Sequence, residues 1–267
     1  MIREAVAAGR YYPADRCVLK KQIESMVDKK AHPKKALGVV SPHAGYPFSG
    51  EIACKVFSKV NITDTVIILG PNHTGLGEPF ALYPEGSWET PLGEVYIDKE
   101  YSSGLLKQSG FIRRDAAAHL AEHSLEVQVP IIQHLKPDVK IVPITIGTED
   151  IEESLGVAKD IADTIKKSGK DILIVASSDM THYESQQDAE RKDKAAIDAV
   201  LNLDEKLLFK RVKEYGITMC GYIPTVIMLA AVKALGAKSG WLVRYQTSGD
   251  ITGDYSQVVG YAGVIVE

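Results

Sequence analysis

Short runs of β-branched residues alternate along the chain with segments that have the period of a helix. The apolar runs lie at residues 36–40, 65–69, 140–146, 171–177, 241–246 and 258–266. One helical candidate, residues 224–236, begins with Pro and ends with Gly, which is the usual asymmetry of helix boundaries. This alternation is typical of an α/β fold with a mostly parallel or mixed central sheet. We therefore predict that class of fold.

The size and composition of the chain fit one globular domain. It has 267 residues, of which 45% are hydrophobic and 25% charged, so it can bury a large core. No repeat and no change of composition divides it, and we predict a single domain over residues 1–267. Residues 84–98 place the turn-forming sequence Thr-Pro-Leu-Gly between two extended pieces, which predicts a hairpin beside the main sheet.

Charge and cysteine content narrow the functional classes. The 31 basic and 35 acidic residues give a net charge of −4, which argues against a protein that binds nucleic acid by neutralising phosphates. No apolar run approaches the thickness of a bilayer, so no membrane span is predicted. The three widely spaced cysteines favour reduced thiols and a cytoplasmic location. Two of them, Cys17 and Cys54, lie in amphipathic segments and are predicted to be small buried residues.

Three of the apolar runs end in a polar loop that bears a histidine. The loops are SPHAGY at 41–46, GPNHTG at 70–75 and SSDMTHY at 177–183. In an open α/β sheet, the loops beyond the carboxyl ends of the strands converge on one crevice. We therefore expect His43, His73 and His182 to face one another. A single histidine in such a loop is more often structural, but three at equivalent positions indicate metal binding, acid–base chemistry or both.

Two further residues near these loops are candidates for the site. Asp179 lies three residues before His182, where its carboxylate could orient an imidazole or cap a following helix. Cys220 lies just before the helix predicted at 224–236, and the helix dipole there would favour its thiolate as a ligand or nucleophile. The other interpretation of Cys220 is a small buried residue.

The segment before residue 130 contains a second pair of histidines. On a continuous helix, His119 and His123 would lie on one face. Leu120 stands where a zinc protease would have Glu, so the zinc-protease pattern is not met. Residues 122–130 have the pattern of the polar start of a helix whose later residues belong to the core. His123 could point into the crevice from that helix.

At these residues the sequence resembles the Memo family, which in prokaryotes is also described as AmmeMemoRadiSam system protein B. The resemblance is carried, in chain order, by AGRYYPAD at 8–15, SPHAGYPFSG at 41–50, GPNHTG at 70–75, EHSLEVQVP at 122–130, SSDMTHY at 177–183 and MCGYIP at 219–224. These motifs extend over nearly the whole chain. The Memo fold is similar to that of LigB-like class III extradiol dioxygenases, so the resemblance implies a single-domain α/β/α sandwich.

The resemblance also implies a metal site. His43 and His73 match the two metal-ligand histidines of the dioxygenases, and Cys220 falls where those enzymes have a carboxylate ligand. A face of two histidines and one carboxylate suits Fe(II), whereas a thiolate shifts the preference toward softer ions such as Cu(I) or Zn(II). The expected cofactor is therefore a metal ion, with Fe(II) or Cu favoured and Zn as an alternative.

The catalytic candidates come from the same resemblance. His182 matches the acid–base histidine of the dioxygenases, and His123 and Asp179 match residues that line the Memo pocket. The implied function is a metal-dependent oxidoreductase that acts on a small-molecule or peptide ligand in the crevice. The alternatives are a non-catalytic protein that binds metal or peptide there, and hydrolysis at zinc. The family name implies functional association with an Amme-domain protein and a radical-SAM enzyme.

Overall fold

The computed structural model describes residues 1–267. Its strands, numbered in chain order, are β1 (Ile2–Arg3), β2 (Gly38–Ser41), β3 (Thr65–Pro71), β4 (Phe80–Leu82), β5 (Ser87–Thr90), β6 (Gly93–Tyr96), β7 (Arg113–Arg114), β8 (Lys140–Ile146), β9 (Ile172–Ser177), β10 (His182–Glu184), β11 (Gly240–Thr247) and β12 (Val258–Val266). Its α-helices are α1 (Arg16–Met26), α2 (Tyr46–Ser58), α3 (Lys99–Gln108), α4 (Val129–Leu135), α5 (Ile151–Ser168), α6 (Gln186–Leu201), α7 (Glu205–Tyr215), α8 (Tyr222–Ala234) and α9 (Gly249–Thr252). Two short 3-10 helices, Ala117–His119 and Glu126–Gln128, precede α4.

Nine strands form the main sheet. Their order is β10-β12-β2-β9-β3-β8-β4-β7, with β11 paired to β12. The four central strands β2, β9, β3 and β8 are parallel, whereas β12 and β4 join this central group in antiparallel orientation. The sheet is therefore mixed, and the predicted fold class is confirmed. The runs predicted at 140–146 and 258–266 coincide with β8 and β12.

Helices cover both faces of the main sheet. Successive side chains of a strand point to opposite faces, so Val66 and Ile68 of β3 pack with α1, α2 and α4, whereas Ile67 and Leu69 pack with α5, α7 and α8. All four side chains are fully buried. The result is the expected three-layer α/β/α sandwich. No helix combines the length and the apolar character needed to cross a membrane.

The segment between residues 84 and 98 forms the predicted hairpin, in which β5 and β6 are antiparallel. The hairpin pairs with β1 and gives a second sheet of three strands in the order β1-β5-β6. Gly86, just before β5, has φ +103°, and a Cβ at this position would lie 1.8 Å from the carbonyl oxygen of Met1. Only glycine fits such a close approach of two backbones, and this contact holds the N-terminus against the hairpin.

A buried ion pair ties the N-terminal strand to the segment that precedes α4. Nη1 of Arg3 donates to Oε2 of Glu126 over 2.6 Å, and neither side chain is more than 1% exposed. The same carboxylate accepts hydrogen bonds from the backbone N–H groups of Val6 and Ala7 and from the hydroxyl of Tyr12. A buried charge is tolerated only when it is paired and hydrogen-bonded in this way. The pair therefore stabilises this arrangement of the chain only while both partners are present.

Arg3→Met should destabilise the protein strongly. The substitution leaves the Glu126 carboxylate buried without its cationic partner, and we expect the free energy of unfolding to fall by about 3–5 kcal/mol. Equilibrium denaturation in urea measures this change. The control Lys35→Met breaks an exposed pair with Asp171 and should cost at most about 1 kcal/mol. Equal effects of the two substitutions would contradict the importance of the buried pair.

Candidate metal centre

Three neighbouring parallel strands bring polar residues to one edge of the main sheet. His43 follows β2 and His73 follows β3, and each lies two residues beyond the end of its strand. Between these strands in the sheet lies β9, whose last residue is Ser177. Because parallel strands end at the same edge, the loops meet there, as the sequence predicts.

The imidazoles of His43, His73 and His123 form one cluster. One ring nitrogen of each lies within 4.8 Å of those of the other two. The ring centroids are 5.4 Å apart for His43 and His73, 5.5 Å for His43 and His123, and 4.8 Å for His73 and His123. His43 is buried and His123 half-buried, whereas 36% of the His73 side chain is exposed. The cluster is therefore reached by solvent on the side of His73.

Cys220 lies at the edge of this cluster. Its Sγ is 3.2 Å from Nε2 of His43 and 3.7 Å from the carbonyl oxygen of Asp179. The family resemblance implies that Cys220 is the third ligand beside His43 and His73. In the structure, the third side chain with a ligand atom within 4.8 Å of those of His43 and His73 is His123. Burial raises the pKa of the Cys220 thiol, and the charge of Asp179 raises it further. Burial therefore acts against the expected effect of the helix dipole on this thiol, because it disfavours the charged form.

A chain of hydrogen bonds fixes the ring of His43. Nε2 of Gln128 donates to the carbonyl oxygen of Pro42 and to the hydroxyl of Ser177, each over 2.8 Å. That hydroxyl donates its own hydrogen to the carbonyl oxygen of Ser124 over 2.7 Å. In the 2.9 Å contact between Ser177 and Nδ1 of His43, the ring must therefore be the donor. Nε2 of His43 therefore carries the lone pair, and it faces Sγ of Cys220, 3.2 Å away.

Glu122 holds the second imidazole. Its Oε1 accepts from Nδ1 of His73 and from the backbone N–H of Ser124, both over 2.9 Å, and its Oε2 accepts from the backbone N–H of His73 over 2.6 Å. Burial tends to raise the pKa of Glu122, but the hydrogen bonds and the His73 ring lower it to about 2. The predicted polar helix start is wrong here, because α4 begins only at Val129 and Glu122 is 1% exposed. The sequence signals for this residue are its position directly before a candidate histidine and at the start of the motif EHSLEVQVP.

His123 is held by an aromatic stack that the sequence did not predict. Its ring lies against that of Tyr11, with the centroids 4.3 Å apart and the planes inclined by 19°. The carbonyl oxygen of Tyr11 accepts from the backbone N–H of Tyr46 over 2.7 Å, which fixes this segment at the start of α2. Burial lowers the pKa of His123 to about 4, so the ring is neutral near pH 7.

His119 lies in a separate 3-10 helix and is fully buried. Its Nε2 donates to the carbonyl oxygen of Ala81, so His119 and His123 share no helix face.

Asp179 and His182 lie beside the cluster and not within it. Oδ1 of Asp179 accepts from the backbone N–H groups of His43 over 2.8 Å and Ala44 over 3.3 Å, so this carboxylate fixes the loop after β2 and contacts no imidazole of the cluster. Burial raises the pKa of Asp179 to about 6. His182 begins β10, and its Nδ1 donates to the carbonyl oxygen of Thr218 over 2.9 Å, so Nε2 is the ring nitrogen without a partner in the protein. The acid–base role of these two residues stays a prediction.

A cavity of about 280 Å³ opens beside the cluster. It is lined by His73 and Cys220, by Ile146 and Thr148 at the end of β8, and by Tyr222 at the start of α8. Small-molecule sites occupy clefts of this kind at the carboxyl ends of parallel strands. A ligand in this cavity would contact both an imidazole of the cluster and the thiol beside it.

The donor set of the cluster fits a transition metal ion. Three imidazoles and a thiol are ligand types that bind Fe, Cu and Zn. Nδ1 of His43 and of His73 is engaged with the protein, so Nε2 of each ring is available to a cation. Both nearby carboxylates, Glu122 and Asp179, already accept hydrogen bonds from N–H groups. Nitrogen and sulfur atoms are therefore the donors available to a metal cation.

The fold and the cluster together define an α/β/α protein with a histidine-rich site that could hold a metal ion. A family model described as Memo-like protein matches residues 3–265. The chain belongs to the Memo family, which confirms the resemblance seen in its motifs.

Several relatives match this chain over nearly its whole length. A MEMO1 family protein of Methanopyrus kandleri is 40% identical over 279 residues, which cover 99% of each chain. A second, of Methanococcus maripaludis strain C5, is 42% identical over 100% of both chains. A third, of Aquifex aeolicus, is 41% identical over 99% of this chain and 98% of its own. The crystal structure of uncharacterized protein JW3007 from Escherichia coli K12 has a TM-score of 0.56 at 11% identity, covers 86% of this chain and 100% of that chain, and shows the same fold.

The three cysteines should react at different rates with iodoacetamide in the metal-free protein. Cys17 is exposed, contrary to the sequence prediction, whereas burial raises the pKa of Cys54 to about 12 and also raises that of Cys220. Because the thiolate is the nucleophile, Cys17 should be labelled first near neutral pH. Mass spectrometry of the labelled peptides measures the three rates. Labelling of Cys220 as fast as Cys17 would show that the helix dipole outweighs burial.

Proposed function

We propose that this protein binds a transition metal ion at His43, His73 and His123, with Cys220 as an adjacent fourth donor, and acts as a metal-dependent oxidoreductase. The observation that carries the proposal is the convergence of three ring nitrogens within 4.8 Å of one another. Two of these rings have Nδ1 bonded to a hydroxyl or a carboxylate of the protein. Metal-ligating histidines are typically held in this way by their second nitrogen.

Iron and copper are the ions that we propose, with zinc as an alternative. Imidazole suits all three, and a thiolate donor favours the softer ions among them. When bound, iron or copper would supply one-electron redox chemistry and would polarise a coordinated ligand. The resemblance to extradiol dioxygenases favours a redox-active ion over zinc.

The residues around the cluster support a reaction on a small molecule. The 280 Å³ cavity would hold such a ligand against His73 and Cys220. Nε2 of His182 makes no hydrogen bond within the protein and could take a proton from a ligand at the cluster. The ring of Tyr11 covers one face of His123 and excludes water from that side.

Two other functions receive less support. Hydrolysis at zinc with a carboxylate as the general base receives less support, because the carboxylates of Glu122 and Asp179 already accept hydrogen bonds from N–H groups. A non-catalytic protein that binds metal or peptide in the same crevice is favoured by one feature, the thiol of Cys220 in place of a carboxylate. Functional association with an Amme-domain protein and a radical-SAM enzyme is proposed from the family resemblance alone.

Removal of any imidazole of the cluster should reduce metal binding. We expect His43→Ala, His73→Ala and His123→Ala each to retain far less Fe(II) or Cu(I) than the wild type after anaerobic loading, because each loses one of three nitrogen donors. Cys220→Ala should lose less. His32→Ala removes an exposed imidazole and serves as the matched control. Elemental analysis of tag-free protein measures the metal content, and unchanged content in all four site variants would eliminate the site.

Oxygen consumption separates the catalytic from the non-catalytic function. Protein loaded anaerobically with Fe(II) should consume oxygen when a catechol-type compound is added. His182→Ala should consume it more slowly at the same metal content, because the proton acceptor is missing. An oxygen electrode records both rates. A flat trace at full metal occupancy would support the binding protein instead.

A further inference from the structure

The carboxylate of Glu122 is surrounded by hydrogen-bond donors. Oε1 accepts from the ring of His73 and from the backbone of Ser124, and Oε2 accepts from the backbone of His73. The side chain is 1% exposed, so solvent does not compete for these oxygens. One carboxylate therefore fixes both the main chain and the ring of His73.

This contact determines which nitrogen of His73 carries hydrogen. An ionised carboxylate only accepts hydrogen bonds, so Nδ1 of His73 must be the donor over 2.9 Å. In a neutral imidazole the other nitrogen, Nε2, is then bare. A neutral His73 is thereby held with a lone pair on the nitrogen that the protein leaves free.

Glu122 also provides the negative charge next to the cluster. Its Oε1 lies 2.9 Å from Nδ1 of His73 and 3.5 Å from Nδ1 of His123. Asp179, the other buried carboxylate nearby, contacts the backbone of His43 and Ala44. Imidazole rings bring no negative charge to balance a cation, so the charge of Glu122 would favour its binding.

Arg3 fixes the backbone that carries this carboxylate. Nη2 of Arg3 donates to the carbonyl oxygen of Glu122 over 2.7 Å, and Nε of Arg3 donates to that of His119 over 2.7 Å. The guanidinium is buried and also paired with Glu126. The loop that carries Glu122 is thus anchored independently of the contacts that its side chain makes.

We propose that Glu122 is the positioning residue of the centre: it sets His73 in the Nδ1–H form before any cation arrives and partly balances the charge of the cation that binds. The charge-balancing part rests on the proposed metal-binding function, whereas the form of the ring is a property of the metal-free protein. Ser177 sets His43 in the same form through a neutral hydroxyl. The two rings therefore offer an internal comparison between an anionic and a neutral acceptor.

Nitrogen NMR of histidine-labelled, metal-free protein tests the first part, because protonated and bare ring nitrogens have distinct chemical shifts. In the wild type we expect Nδ1 protonated and Nε2 bare for both His43 and His73. In Glu122→Ala the ring of His73 loses the oxygen that accepts from Nδ1, so His73 should lose its preference for the Nδ1–H form, whereas His43 should keep it. Ser177→Ala should change only His43. A wild-type His73 protonated at Nε2, or a His73 unchanged in Glu122→Ala, would overturn the proposal.

Zinc affinity, measured by competition with a chromophoric chelator, tests the second part. Glu122→Gln should bind Zn(II) about 10- to 100-fold more weakly than the wild type, the usual effect of losing such a partner. Glu122→Asp keeps the charge and should restore part of the affinity. Glu149→Gln is the matched control, since Glu149 lines the same cavity but pairs with Lys213, and its affinity should stay close to wild type.

The outcomes separate this proposal from the proposed function. Equal losses in Glu122→Gln and Glu149→Gln would overturn the charge-balancing role, because they would reflect general charge alone. If the wild type binds no Zn(II), Fe(II) or Cu(I), the metal-binding function fails, and the charge-balancing role fails with it. The NMR result still decides the role of Glu122 in setting His73. If Glu122→Ala or Glu122→Gln does not fold, the wild-type spectrum and Glu122→Asp carry the test.

Discussion

The parallel pairing of β2, β9 and β3 is the constraint on which the rest of the site depends. In this register Ser41 pairs with Ser177 and Leu69 pairs with Ala176, so the three strands end at nearly the same level. The residues that follow leave the sheet side by side, and the two loop histidines meet without long connections. The hydrogen bonds of the sheet fix these strand ends. The loops that carry the cluster therefore start from rigid positions, as a preorganised site requires.

A second constraint is that the site buries polar groups away from water. A buried donor or acceptor left without a partner costs about 1–3 kcal/mol, so such groups favour arrangements that satisfy them. Glu122 accepts from three N–H groups, and Gln128 joins Ser41 and Ser177 into one hydrogen-bonded set. These bonds orient the rings of His43 and His73 at the same time as they satisfy buried groups, so stability and site geometry have a common cause.

The donors of the cluster are not equivalent. Burial lowers the pKa of His43 well below its usual value and that of His123 to about 4, so these rings present lone pairs near neutral pH. Cys220 differs, because burial raises the pKa of its thiol and a ligand must be the thiolate. Coordination by Cys220 would therefore release a proton, whereas coordination by His43 and His123 would not. The proposed site thus combines imidazoles that can bind a cation without losing a proton with a thiol that must lose one first.

The sequence by itself determined the fold class, the main strands, the family and the meeting of His43 with His73, because strand runs and the loops after them follow local patterns and a parallel sheet brings those loops together. It did not determine that His123 completes the cluster, that Glu122 is buried against a ring, or that burial raises the pKa of the Cys220 thiol. Only the tertiary structure decided these points. The direction of a side chain in an irregular segment and the burial of an ionisable group depend on contacts between residues far apart in the chain, and no local period records them.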